Sequence, residues 1–225
     1  MKTIFKTLLI LTAITTLLLA QKPSDQPTGF IRVVNAVAPG TGKVSLLING
    51  EVMRPQGYNL GDATGGIALP AGSHKVLVKR EGVKEGATTV ALAKDTTVTL
   101  IPFAEKVPAS DQEPGHFAVR LLRLKQRQPE SGRTATFVSV SANPELKVEL
   151  ASEGGKWASV FVKRLTVGEV ALDYSQGYAP VRVNGEVIKP IPIGGPGNYV
   201  VVLYDDPEGK LQSLYFRDFK FLSAD

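Results

Sequence analysis

The chain has 225 residues, with 26 Lys and Arg against 21 Asp and Glu, a formal charge of +5, and no cysteine. The lack of thiols excludes a disulfide framework, a thiolate nucleophile, a thiolate metal site and lipid attachment through an N-terminal cysteine. So mild a charge gives no ground for a nucleic-acid partner, and none is expected.

The N-terminus sets the expected compartment. Lys2 and Lys6 precede an apolar run from Thr7 to Ala20, and the polar stretch Gln21 to Thr28 follows at once with Pro23 and Pro27. That pattern predicts a secretory signal peptide over 1–20, cleaved before Gln21, because the run is shorter than the roughly 20 residues a mature membrane helix needs. The expectation is a periplasmic or secreted protein with no stable membrane span after cleavage. Removal of the two lysines leaves 24 basic and 21 acidic residues. Residues 28–127 carry 13 basic and 8 acidic side chains, and residues 133–225 carry 10 and 11, so an anionic partner should prefer the first half.

Strand signals then dominate. Phe30-Ile-Arg-Val-Val-Asn-Ala36 is β-branched and aromatic; Pro39 to Gly42 turns the chain into Lys43 to Ile48, and Asn49-Gly50 is the hairpin dipeptide, since both residues tolerate positive φ. Gly65 to Leu69, the turn Pro70 to Ser73 and the alternating His74 to Lys79 follow, then Ala87 to Leu92 and Thr96 to Phe103. A Pro/Asp/Gly-rich connection, Val107 to Gly115, leads to Phe117 to Leu124. Helix propensity is fair over Val119 to Gln128, but the repeat described next favours a strand. Short strands with turns every 8–12 residues indicate a sandwich or barrel.

Gln128 to Arg133 reads as a linker, and beyond it the order of elements returns. Thr136 to Ala142 matches Phe30 to Ala36, Glu145 to Leu150 matches Lys43 to Ile48, and Gly168 to Leu172 matches Gly65 to Leu69. Gly177 before Val181 to Val183 matches Gly72 before Val76 to Val78, Gly197 to Tyr204 falls where Asp95 to Pro102 stood, and Leu211 to Phe219 matches Phe117 to Leu124. Asn184 to Pro190 resembles Asn49 to Pro55 out of this register, as recurring turn chemistry. The fold class predicted is all-β: two tandem antiparallel, Ig-like β-sandwich domains over 28–127 and 133–221.

Phe30 to Ala36, Val44 to Gly50, Tyr58-Asn-Leu-Gly-Asp62, Leu69-Pro-Ala-Gly72 and Val76 to Val78 resemble a widespread family of bacterial extracytoplasmic sandwich domains. The tandem arrangement is similar to that of periplasmic accessory proteins of alginate acetylation. In the second half Ser139 and Ser141 stand near the places of Arg32 and Asn35. The resemblance implies a non-catalytic role at the envelope, contacting an envelope protein or the components that modify a secreted polysaccharide. It carries over no catalytic residue.

Few side chains offer chemistry of their own. His74 and His116 are the only histidines and lack metal-binding spacing, while Ser73, Ser110 and Ser131 lack a nucleophile elbow. Asp205-Asp206-Pro-Glu208, and the weaker pair Asp111 and Glu113, lack the rhythm of a calcium loop. Gly65-Gly66 and Gly194 to Gly197 lack the Lys-Ser/Thr and the helix of a phosphate cradle. No catalytic residue, metal or cofactor is therefore expected, and the candidates are for binding. Trp157, after Gly154-Gly-Lys, is either a sugar-stacking ring, with Tyr174 and Tyr178 nearby, or a plug at the edge of a sandwich. Arg123, Lys125 and Arg127 share a strand face, either as a stripe for an anionic polysaccharide or acidic protein, or as charge protecting an edge.

Overall fold

The computed structural model describes residues 26–125 and 133–218. The predicted signal peptide, Arg127 and all but the last residue of the predicted linker lie outside the described residues, as does the side chain of Lys125. The described chain is all-β. Its first half forms β1 (Thr28–Val33), β2 (Thr41–Ile48), β3 (Glu51–Val52), β4 (Ile67–Pro70), β5 (Gly72–Glu81), β6 (Val83–Leu92), β7 (Thr97–Val107) and β8 (His116–Lys125). Its second half forms β9 (Arg133–Ser139), β10 (Glu145–Ala151), β11 (Trp157–Lys163), β12 (Val167–Ala171), β13 (Gly177–Val183), β14 (Glu186–Ile193), β15 (Gly197–Asp205) and β16 (Leu211–Asp218). The segment with fair helix propensity is β8 as far as Lys125, because its alternating apolar residues feed cores on both faces of a sheet.

Strand order repeats. In the second half two four-stranded sheets run β11-β10-β13-β14 and β12-β9-β15-β16. The first half runs β3-β2-β5-β6 and then, through a β6–β8 contact, β8-β7-β1-β4. Both halves contain a parallel pair at the same place, β1 with β7 and β9 with β15. The β6–β8 seam is a single parallel pairing of Lys84 with Ala118. Close approach there requires glycine: a Cβ on Gly86 would stand 2.4 Å from the Val119 carbonyl oxygen.

Asn-Gly hairpins recur at two different corners. Asn49-Gly50 joins β2 to β3 at φ of 52° and 90°, and Asn184-Gly185 joins β13 to β14 at 52° and 85°. Each Asn also brackets a lysine on the adjacent strand: Lys75 N donates to Asn49 Oδ1, and Lys147 N donates to Asn184 Oδ1. The shared dipeptide is thus shared turn chemistry at different places in the strand order.

Three apolar layers hold the sheets face to face. Within the first half, Ile31, Val33, Leu46, Ile48, Val76, Val78 and Leu100 fill one layer. Phe137, Leu146, Val148, Val181, Ile191 and Leu203 anchor the corresponding layer of the second half. The third lies between the halves, where Val34, Ile101 and Phe103, with Leu122 and Leu124, meet Val138, Val200, Val202, Leu214 and Phe216. Strand alternation explains how one strand serves two layers. Along β15, Tyr199, Val201 and Leu203 point into the second half, while Val200, Val202 and Tyr204 point toward the first. The molecule is therefore a stack of four sheets whose two inner sheets are covered on both faces.

Charged pairs cross the same boundary reciprocally. Arg32 of β1 meets Asp218 of β16 at 3.4 Å, with its guanidinium 5.2 Å from the Phe216 ring centre. Arg164 of the second half meets Glu105 of β7 at 2.9 Å and lies 5.8 Å from the Phe103 ring centre. Glu105 also accepts from Arg120 at 2.9 Å. The two carboxyls respond oppositely. Hydrogen bonds from Arg164 and then Arg120 hold Glu105 below the ordinary carboxylate range, whereas burial raises Asp218 despite the opposing charge of Arg32.

Two outcomes test this arrangement. Ile101 would face solvent if the halves were apart, and Ile101→Ala would then change stability by less than about 0.5 kcal/mol; in the stack it costs about 2–5 kcal/mol, measurable by urea unfolding. Glu105 has a lowered folded pKa, so its contribution is present above the unfolded carboxylate pKa and lost as pH falls through the folded one. Asp218 has the opposite sign: its contribution is present at low pH and lost as pH rises through its raised folded value. Glu105→Gln therefore flattens the fall of the thermal midpoint on acidification, read from melts between about pH 2 and 7.

Candidate functional site

Because the inner sheets are covered, the open sheet faces are the two at opposite ends of the stack. They differ in chemistry. On the first half, alternation along β2 and β5 sends Val44, Leu46, Val76 and Val78 inward and leaves Lys43, Ser45, Lys75, Leu77 and Lys79 outward. Ser45 is registered with Lys79, and Lys79 pairs with Glu85 of β6 at 2.8 Å. Lys43, Lys79, Arg80, Glu81 and Glu85 border a shallow depression of about 360 Å³ at one end of this face. This is a lysine-bearing surface, in keeping with the basic first half.

The outer face of the second half is aromatic. In β11, Val162 is buried and Val160 packs against the core, so Trp157, Ser159, Phe161 and Lys163 point outward. β10 presents Lys147 beside Phe161, Glu149 beside Ser159 and Ala151 beside Trp157. Next along, Arg182 of β13 is registered with Glu149, and Val187 of β14 with Arg182. Tyr178 lies four residues before Arg182 on β13 and shares its outward side, since Ala179, Val181 and Val183 are the buried set. Exposures of 38 % for Trp157, 61 % for Phe161, 68 % for Tyr178 and 72 % for Val187 make this the most apolar open face of the stack.

The indole is not bare. The Arg182 guanidinium reaches across β10 to stand 4.1 Å from the Trp157 ring centre, an arrangement in which the positive plane meets the electron-rich ring face. Lys147 pairs with Glu149 at 2.9 Å beside it. The face thus combines apolar area with a guanidinium and an ion pair, a mixture suited to a ligand having both apolar ring faces and oxygen acceptors.

The structure separates the predicted binding residues. Trp157 and Tyr178 share the outer face, whereas Tyr174 packs against the second-half core. Arg123 donates to Thr89 O at 2.6 Å and to Thr88 Oγ1 at 3.3 Å, tying β8 across the seam to β6. Arg127 and the side chain of Lys125 lie outside the described residues. Arg182, Phe161 and Val187 were absent from the sequence-derived set. Phe161 and Val187 had a signal, being large apolar residues at positions that alternate with inward ones; Arg182 had none, because its partner lies two strands away.

Several of the other polar groups singled out in the sequence are bonded within the fold. His74 is buried, with Nδ1 3.0 Å from Asn49 Nδ2 and Nε2 2.8 Å from Pro70 O, so Nε2–H donates to the carbonyl and Nδ1 accepts from the amide. Asp206 accepts from Lys210 N at 2.8 Å, Glu208 N at 3.1 Å and Gln212 Nε2 at 2.9 Å; these bonds, that from Gln212 foremost, hold its carboxyl low. Asp205 accepts from Ser141 Oγ at 2.8 Å and Ala142 N at 2.6 Å, so this acidic turn is also tied to the connection after β9. Tyr199 fastens the Gly194 to Gly197 turn, accepting from Gly194 N and donating to Gly195 O. Among the described residues no group of three or more His, Asp or Glu is placed to hold a metal ion, and no helix is long and apolar enough to cross a membrane. No protein-family model matches the chain, and no curated protein matches it significantly.

Proposed function

We propose that the chain is an exported, non-catalytic adaptor or binding protein of the cell envelope, built as two tandem Ig-like sandwich domains behind a cleaved signal peptide. In this reading it works in the periplasm or outside the cell as an accessory to the modification or assembly of a polysaccharide, the role implied by its likeness to alginate acetylation accessory proteins. One observation carries the proposal: the stack ends in two open sheet faces of unlike chemistry, lysines on the first half and aromatic rings with Arg182 on the second. A body with two different outward faces suits bridging, with an acidic protein or polyanion at one end and a ring-bearing ligand at the other. Tagged protein incubated with envelope extract is expected to retain a protein or glycan partner. Recovery of neither, at low ionic strength where charge attraction is strongest, would refute the proposal.

A narrower second reading, a carbohydrate-binding module, is favoured by Trp157, Phe161 and Tyr178 sharing one outward face. Sugar rings stack on aromatic faces, and Arg182 adds a donor for ring substituents or carboxylates. Trp157→Ala should then weaken binding to the recognised polysaccharide about tenfold, equivalent to about 1.4 kcal/mol. An unchanged isotherm would discard this reading while leaving the adaptor proposal standing.

A further inference from the structure

We infer that β11 is a self-association edge, through which two copies of this chain join their outer sheets into one continuous sheet. Among the described residues β11 pairs with β10 alone, over seven consecutive partners from Trp157–Ala151 to Lys163–Glu145. Its other side therefore presents a row of backbone donors and acceptors in an extended strand with no proline, glycine or bulge.

Of the other lateral edges, β12 is five residues long and contains Gly168; β16 is eight residues long without proline or glycine, but its side chains are buried or half-buried, with none of the exposed rings of β11. The remaining three are built differently. β3, which occupies the same place in the first half, has two residues and is followed by Pro55. β14 carries Pro190 and Pro192 and a register shift against β13. β4 has four residues and ends in Pro70. Prolines, shortness and irregularity are the usual means of preventing edge pairing, and β11 has none of them. Exposed apolar side chains also gather at this edge: Trp157 and Phe161 on the strand, with Leu165 and Val167 just beyond it.

The sequence of β11 is self-complementary, which favours a second copy over an unrelated peptide. An antiparallel pairing about a two-fold axis at Ser159 sets Trp157 opposite Phe161 of the second copy, and Phe161 opposite its Trp157. Four aromatic rings then line one face of an eight-stranded sheet. On the inward side Ala158 meets Val160; the outward Lys163 lies beyond the paired residues, because its register partner Gly155 sits in the turn before β11 at φ 75°, so no like charges face each other. The outer aromatic face is doubled in area without being covered. This inference does not depend on the proposed function.

Absence of cysteine makes the test direct, since one introduced thiol reports one position. Light scattering of the purified protein across a concentration series should show the mass rising toward twice that of the monomer. Ser159→Cys should form a disulfide-linked dimer faster than the control Thr89→Cys on the opposite outer face. Ser159→Lys, at an exposed position, should keep the thermal midpoint and return the mass to that of a monomer by setting lysine against lysine at the axis. A monomer at every concentration, a dimer unaffected by Ser159→Lys, or equal cross-linking of the two cysteine variants would overturn the inference. Capture of an extended peptide by a strictly monomeric protein would likewise overturn it, assigning the edge to another partner.

Discussion

Everything else in the molecule depends on the apolar layer between the two inner sheets. A single sandwich of this size can expose the outer faces of both its sheets, and its strands then alternate apolar and polar. Here β7, β9 and β15 cannot alternate, because each is buried on both sides. Val34, Ile101 and Phe103 on one sheet, and Val138, Val200 and Val202 on the other, have no role within their own halves. They make sense only as the contact that fixes one half against the other. The reciprocal pairs Arg32–Asp218 and Glu105–Arg164 then set the register of that contact, since each charged group is in place only when the sheets meet in one orientation.

This constraint distributes the remaining chemistry. Once six of the eight sheet faces are committed to the central layer and the flanking cores, polar and aromatic side chains with no packing role fall on the two end faces and on the loops. The ends have diverged although the strand order has not. Lys43, Lys75 and Lys79 mark one, and Trp157, Phe161, Tyr178 and Arg182 the other. Tyr174 shows how sharply the sorting works: four residues before Tyr178, it packs against the core, because it lies in the connection over the sandwich rim and not on an outward strand position.

Much of the fold is legible in the sequence. Outer strands such as β5 and β13 alternate apolar and polar residues, and Asn49-Gly50 and Asn184-Gly185 take the left-handed geometry their types allow. The central layer is written there too, less obviously: Tyr199-Val-Val-Val-Leu-Tyr204 and Leu100-Ile-Pro-Phe103 are unbroken apolar runs, which a half-solvated strand would not carry. Such runs say that both faces are buried without saying what covers the second. The site is less legible. A tryptophan after a glycine pair advertises itself, but the arginine that stacks on it comes from β13, placed there by pairings some 30 residues apart in sequence. Arg123 illustrates the reverse error of inference: a basic residue on a strand face reads as a free charge, yet the β6–β8 seam brings Thr88 and Thr89 within its reach.

The edges carry the last consequence of the repeat. The element after β2 shrinks to two residues, whereas the one after β10 runs for seven, although each borders the same position in its sheet. Length here is set by local sequence: Met53-Arg-Pro55 breaks the first, while Trp157 to Lys163 alternates small or aliphatic inward residues with aromatic and polar outward ones. Hydrophobic burial alone does not require the longer strand, since Trp157 and Phe161 remain exposed on it. A backbone edge kept long and free of the residues that normally block pairing is a standing risk of aggregation unless pairing is its purpose. The short first-half edge and the long second-half edge therefore differ in what they exclude, and the second excludes nothing.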